Sequence, residues 1–330
     1  MKKNIAIVMG GYSAEVAISL KSGEVVYQHL NAEKYTAYKV HILTEKWVLV
    51  TDDGQEHPID KNDFSATIDG KHVQFDCVFN AIHGNPGENG ALLAYFNLIG
   101  MAHTSASAYQ MALTFNKRDC LSVVKEFGLL TAASYYLNQG DVIDIPAIIA
   151  TVGLPCFVKP NNAGSSFGIS KAHTENDLLP AIEKAYAEDS AILIESFLDG
   201  TEVSVGVLQY QGALTVLPIT EIVTENDFFD YEAKYQGKSQ EITPARISDA
   251  VASKVAAVAK KAYLGLNMRG FTRAEYILVN DQPYFLEINT VPGLTAESIL
   301  PQQAAAADIS LAALFGNAIE MSLQPQPLKK

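Results

Sequence analysis

Two stretches near the C-terminus, FTRAEYILV and PYFLEIN, are separated by NDQ and read as a hairpin over residues 271–279 and 284–289. Side chains alternate between faces along a strand. With the turn centred on Asp281, Glu275 lies opposite Glu287 and Arg273 opposite Asn289, so all four groups share one face. Two directly opposed carboxylates repel unless a cation or a shared proton stands between them. Oxygen-only donors suit a hard ion such as Mg²⁺, which keeps waters and shares a nucleotide's phosphates. The other reading is a solvated face on which Arg273 compensates the acids.

Lys159 closes an apolar strand, where a lone lysine is costly unless an anion answers it. It opens the loop KPNNAGSSFGIS, residues 159–170, which is longer than a hairpin turn of two to five residues. Gly164 and Gly168 leave backbone N–H groups free to approach phosphates, and Ser165 and Ser166 add hydroxyl donors. A flap over an anion and a plain linker both fit. The chain has no GxxxxGK[ST], and GGYSAE at residues 10–15 is not GxGxxG, so neither a P-loop nor a dinucleotide fingerprint is present.

Glu195 and Glu202 flank ESFLDGTE, a strand end, a turn and a new strand. Backbone there could meet an adenine edge with a carboxylate on ribose hydroxyls; the alternative is an exposed turn. DFFDYEAKY, residues 227–235, packs four aromatics, three acids and one lysine into nine residues, too apolar for a simple solvated loop. His83 divides evenly between a core histidine and a functional one.

These groups need elements to hold them. NIAIVM, residues 4–9, is a short buried strand, and Ser13 reads as the N-cap of a helix through AEVAISLKSGEVVYQHL. Strands follow at 37–43 and 75–81. Strand, helix, strand with unbroken apolar runs implies a parallel sheet covered on both faces, with HGNPGENG at a strand's carboxyl end, where ligands of such sheets collect. One helix is expected over 105–128. Strands at 133–137 and 156–159 bracket another helix. A capped helix follows at 174–187, then successive antiparallel strands at 191–196, 202–210 and 213–218. Helices at 248–264 and 310–323 complete the reading.

At 330 residues two or three domains are expected. Hydrophobic residues make up 48% and charged residues 18%, as in an ordinary globular protein. A formal charge of −13 argues against a general nucleic-acid binder and against an anionic membrane surface. Cys77, Cys120 and Cys156 are far apart and sit in apolar stretches, which favours buried reduced thiols. No apolar run reaches membrane-spanning length, and the expected location is the cytoplasm.

In order along the chain, GGYSAE, HGNPGENG, FNKRD, FVKPNNAGSSFGISK, IESFLDGTE, FFDYEAKY, RAE and LEINTVPGLTAES resemble the D-alanine–D-alanine ligases of the ATP-grasp superfamily. The resemblance implies an α/β ATP-grasp fold. A Rossmann-like N-terminal substrate-binding domain (1–104) would precede a central subdomain with the phosphate flap (105–195) and a C-terminal subdomain with metal and oxyanion sites (196–330). It implies joining of two D-alanines through a D-alanyl phosphate, with D-alanine–D-lactate or other D-amino-acid ligation as the alternative. ATP would be the cosubstrate, two Mg²⁺ ions would assist with Mn²⁺ as substitute, and a homodimer is expected.

By the same resemblance, Glu15 sits near the first D-alanine's ammonium, with Ser165 and Tyr235 completing a hydrogen-bonded set. Lys117, Lys159 and Ser166 face the nucleotide, the segment Glu195, Ser196, Phe197 and Leu198 meets adenine, and Glu202 meets ribose. Lys234 steadies the transferred phosphoryl group. Glu275, Glu287 and Asn289 ligate metal. Arg273 and the Gly293 N–H form the oxyanion site, Ser298 receives the second carboxylate, and His83 lies among the substrate-binding residues. There are three departures from the family pattern: Glu275 replaces the usual aspartate, Asn116 an aspartate, and apolar Leu92 and Leu93 stand where a glutamine is common.

Overall fold

The computed structural model describes residues 2–162, 164, 167–224 and 239–324. Ser165, Ser166, Lys234 and Tyr235 therefore lie outside the described residues.

Strand β1 (Lys3–Gly10) runs parallel to both its neighbours, β2 (Tyr35–Ile42) and β7 (Cys77–Asn80). Ile5 to Val8 are 0% exposed, the burial on both faces that a continuous apolar strand requires. Helix α1 (Val16–His29) links β1 to β2. The sheet is not wholly parallel, however. β3 (Trp47–Val50), β4 (Glu56–Asp60), β5 (Ser65–Ile68) and β6 (Lys71–Val73) extend it antiparallel in the order β6-β5-β4-β3-β2-β1-β7. Their turns are tight: Asp69 and Gly70, between β5 and β6, have φ of 48° and 73°, the left-handed pair that two-residue hairpins favour.

Ser13 is not the cap of α1. The helix starts behind Glu15, and the Ser13 hydroxyl instead accepts from the Glu15 N–H and donates to the His83 carbonyl, tying this turn to the loop after β7. The single helix expected over 105–128 is two. After α2 (Ala91–Leu98), α3 (Ala108–Phe115) stops and α4 (Lys117–Glu126) starts afresh at Asn116, whose side chain accepts from the Asp119 N–H at 3.0 Å. Such a cap contributes about 1 kcal/mol, and aspartate caps equally well. That accounts for Asn116 in place of the usual residue. Leu92 and Leu93 are buried in α2.

The second sheet contains β8 (Ser134–Asn138), β9 (Cys156–Pro160), β10 (Ser170–Ala172) and β11 (Ala191–Ser196) in the order β10-β9-β11-β8. Helices α5 (Ile145–Val152) and α6 (Glu175–Tyr186, with a Thr174–Asp177 capping box) cover it through Ile148, Leu178 and Ile182. The Gly/Ser loop joins β9 to β10, which pair antiparallel.

The third sheet is formed by β12 (Thr201–Tyr210), β13 (Ala213–Val216), β14 (Thr220–Thr224), β15 (Ser239–Ile242), β16 (Phe271–Val279) and β17 (Gln282–Asn289), in the order β15-β14-β12-β16-β17 with β13 on β12. β11 and β12 are thus not neighbours, against expectation. The chain leaves one sheet after Ser196 and enters another at Thr201. α3 and α4 pack on β17, α7 (Asp249–Gly265) on β12 and β17, and α8 (Ile299–Ala306), which the sequence did not announce, on β12 ahead of α9 (Leu311–Leu323). All three cysteines are free and buried. Among the described residues no single helix is long and apolar enough to cross a membrane.

Candidate active site

The hairpin pairs Glu275 with Glu287 and Arg273 with Asn289, as the sequence implied, but by another route. Its turn is the two-residue Asn280–Asp281, both at positive φ, which sets Val279 against Gln282. That register alone would face Glu275 with Leu286. A shift between Glu275 and Tyr276, where β17 carries one extra residue, restores the carboxylate pair.

Each carboxylate has a cation beside it. Arg273 Nη1 donates to Glu275 Oε1 and, at 3.0 Å, to Ser204 Oγ on neighbouring β12. Lys117 Nζ stands 3.2 Å from Glu287 Oε2. Burial works against the charge on Lys117, but Glu287, with Glu195 and Glu275 behind it, more than offsets this and holds its pKa above the ordinary value. The cap at Asn116 fixes where Lys117 leaves the helix. Asn161, just past β9, tightens it further by accepting from the Lys117 and Arg118 N–H groups. Asn289 Nδ2 is buried without a hydrogen-bond partner among the described residues.

Lys159 also has its anion. Glu195 sits diagonally across β11 and β9 on the same face, and the two form an ion pair with side-chain exposures of 3% for Glu195 and 14% for Lys159. The adjoining Ser196–Leu198 segment bridges to the third sheet, with the Ser196 N–H bonded to Ala133 and the Phe197 N–H to Pro155. Glu202 lies half-buried at the start of β12.

A cavity of about 360 Å³ opens among these strands, within the range of small-molecule sites. Glu15, His83, Arg273, Asn289, Gly293 and Ser298 all line it, although they come from four separate chain segments. Gly164 of the loop rests against Glu15: a Cβ there would lie 2.9 Å from Oε2. Gly293 is equally close to Ser298, whose Oγ would be 2.6 Å from an added Cβ and lies 2.9 Å from Thr295 Oγ1. Lys117, Lys159 and the 195–198 segment do not line this cavity.

His83 is buried with both ring nitrogens engaged, 2.7 Å from the Val291 carbonyl through Nδ1 and 3.0 Å from Ser22 Oγ through Nε2. A carbonyl only accepts, so Nδ1 carries the proton and Nε2 accepts from Ser22. Ser22 in turn accepts from the Leu294 N–H. Burial depresses the His83 pKa, which keeps the ring neutral. The histidine therefore braces the 291–294 loop.

Glu88 escaped the sequence reading. Its two oxygens accept from the Gly84 and Val291 N–H groups, joining the loop after β7 to the loop after β17. Burial, then the charge of Glu15, push its pKa up to about 7. Its position inside HGNPGENG was the available signal. Its partner 203 residues away was not visible.

Family profiles described as "D-ala D-ala ligase N-terminus" and "D-ala D-ala ligase C-terminus" match residues 4–106 and 120–320. The chain is similar to the D-alanine--D-alanine ligase of Flavobacterium johnsoniae, 64% identical across 97% of this chain and 99% of that one. It is 54% identical to that of Christiangramia forsetii, across 98% and 99%. Among solved structures, the D-Ala:D-Ser ligase of Enterococcus faecalis aligns with a TM-score of 0.87 at 27% identity, covering 98% of this chain and 100% of the other.

Proposed function

The chain belongs to the D-alanine–D-alanine ligase family, and from that membership we propose a role for each group gathered around its cavity. It is an ATP-dependent ligase that forms a C–N bond, joining two D-alanines for peptidoglycan synthesis. Joining D-alanine to D-lactate is the less favoured reading, since the relatives that share over half their residues carry the D-alanine–D-alanine name.

A carboxylate is a poor acylating agent, so the first D-alanine is activated as an acyl phosphate. Glu15 receives its ammonium, and Gly164 against Glu15 supports a flap that lies over this substrate and excludes water. Lys117 and Lys159 face the nucleotide phosphates; Ser165, Ser166 and Lys234, outside the described residues, would add donors to them, and Tyr235 would complete a hydrogen-bonded set with Glu15 and Ser165. The 195–198 segment meets adenine and Glu202 meets ribose. Glu275, Glu287 and Asn289 would hold divalent ions, Mg²⁺ or Mn²⁺. The donor set fits them: two opposed carboxylates and an amide whose buried nitrogen has no partner among the described residues, so a half-turn would present its oxygen instead. Bound there, such ions offset charge on the phosphates.

The second amine, deprotonated, then attacks the activated carbonyl, and phosphate leaves as the C–N bond forms. Arg273 and the Gly293 N–H meet the oxyanion, where one donor is typically worth about 3–4 kcal/mol. Ser298 receives the second carboxylate, and His83, held neutral, braces the loop that presents Gly293.

The register that opposes Glu275 to Glu287 beside a cavity containing Glu15, Gly293 and Ser298 carries this reading. ADP formation measured against a panel of D- and L-amino acids, with identification of the product, tests it. D-alanine-dependent ADP and dipeptide are expected; ATP binding with no D-alanine-dependent turnover would overturn it. We also propose a dimeric assembly, a cytoplasmic location, and the three-part division at 104/105 and 195/196, which the three sheets support to within the last residue of β11.

A further inference from the structure

Two amino acids in one cavity bring two ammonium groups, and the residues assigned so far answer only one. The carboxylates lining the cavity differ in what they already do. Glu287 stands with the proposed metal ligands, Glu88 is bound by two backbone N–H groups, Glu297 is exposed, and Glu15 faces the first substrate. Glu241 remains. It projects from β15, half-buried, on the wall that also contains Arg273 and Ser298.

Its neighbours place it on the acceptor side. Gln302 Nε2 donates to Glu241 Oε2 at 3.2 Å, and Gln302 lies one turn along the helix that Ser298 caps, its N–H bonded to the Ser298 carbonyl. Residues four apart on a helix stack on one face. Glu241 is thus tied, through one side chain, to the group assigned to the second substrate's carboxylate.

We propose that Glu241 receives the ammonium of the second amino acid and takes up the proton it sheds before attack, so that the acceptor site selects an α-amino acid over a hydroxy acid. This rests on the ligase reading above. Burial raises the pKa of Glu241, although Arg273 and Gln302 act against the rise. Burial at Glu241 thus outweighs the charge of Arg273, the cation acting on it among the described residues, and an arriving ammonium adds to that charge. A hydroxy acid has no charge to offer there.

The test separates the two half-reactions in the full-length enzyme with Mg²⁺ and ATP. Hydroxylamine traps the acyl phosphate as D-alanyl hydroxamate without using the acceptor site, while dipeptide formation requires it. In Glu241→Gln the ratio of dipeptide to hydroxamate should fall about tenfold, the size of a lost charge-assisted contact, through a higher KM for the second D-alanine. Glu241→Asp should recover part of that loss, and discrimination against D-lactate should shrink in Glu241→Gln. An unchanged ratio and unchanged second KM would overturn the proposal. So would a parallel fall of both products, which marks a structural role. A wild-type enzyme that makes neither product would instead overturn the ligase reading.

Discussion

Lys159 and Glu195 form an ion pair across two adjacent strands, with Glu195 almost wholly removed from solvent. A buried pair is weak evidence of net stabilisation, but removing one member leaves the other uncompensated. Lys159→Met should destabilise the protein by about 3–5 kcal/mol in denaturant titration. The double variant Lys159→Met/Glu195→Leu should recover most of that, with ATP turnover still lost. Equal stability of wild type and Lys159→Met would contradict the pairing.

Gly164 offers a test of flap closure. An added methyl would lie 2.9–3.0 Å from both Glu15 oxygens, so Gly164→Ala must either hold the loop off or displace the carboxylate. Steady-state kinetics should show kcat/KM reduced about tenfold, as expected when one positioning contact is lost. The melting temperature should barely move, since the change touches no core contact.

Gly293→Ala brings a methyl within 2.6 Å of Ser298 Oγ and shifts the N–H proposed to meet the oxyanion. A loss of about 10²-fold in kcat is expected, comparable to removing an oxyanion donor. A variant with full kcat would exclude that N–H from the chemistry.

Glu88 predicts a pH dependence of stability in the metal-free protein. Its folded pKa of about 7 lies above the ordinary 4.5, so the folded chain keeps a proton that the unfolded chain releases between those values. Stability from this group is full below about 4.5 and is lost as pH rises through 7. His83, with its pKa lowered, acts in the opposite sense, costing stability as pH falls below its ordinary 6.5. Thermal melts from pH 5 to 8 should slope less steeply downward in Glu88→Gln than in wild type.

Burial pushes the pKa values of Cys77 and Cys120 up to about 12 and that of Cys156 to about 11. Native protein at pH 7.5 should therefore resist a thiol reagent on all three, and unfolded protein should react fully. Rapid labelling of any one in the native state would contradict its burial.

The hairpin shows how far residue order carries. Alternation along β16 and β17 made the carboxylate pair legible, yet counting gave the right partners for a turn that does not exist. The short turn and the extra residue in β17 compensate each other; NDQ marks that a turn is there but not its length, and nothing marks the extra residue. Ser13 looked like a cap because local rules favour serine there, but a carbonyl 70 residues away claims its hydroxyl. Asn116 hid a helix break inside a continuous apolar pattern, since both halves keep helical spacing. The anion for Lys159 was itself a residue of the quoted motifs, assigned elsewhere because the diagonal contact between β9 and β11 is a matter of sheet order. Short-range preferences were readable. Cross-sheet partnerships were not.

Arg273 and Lys117 already occupy the places from which an arriving ion would draw its attraction to Glu275 and Glu287. Loading of the proposed ions would therefore be an exchange rather than a filling. Free magnesium would gain little by evicting two resident counter-charges, whereas phosphates brought with it would offer those side chains another anion. Metal and nucleotide should consequently enter as a single thermodynamic unit, each tightening the other, and the resting enzyme should withstand chelators without unfolding.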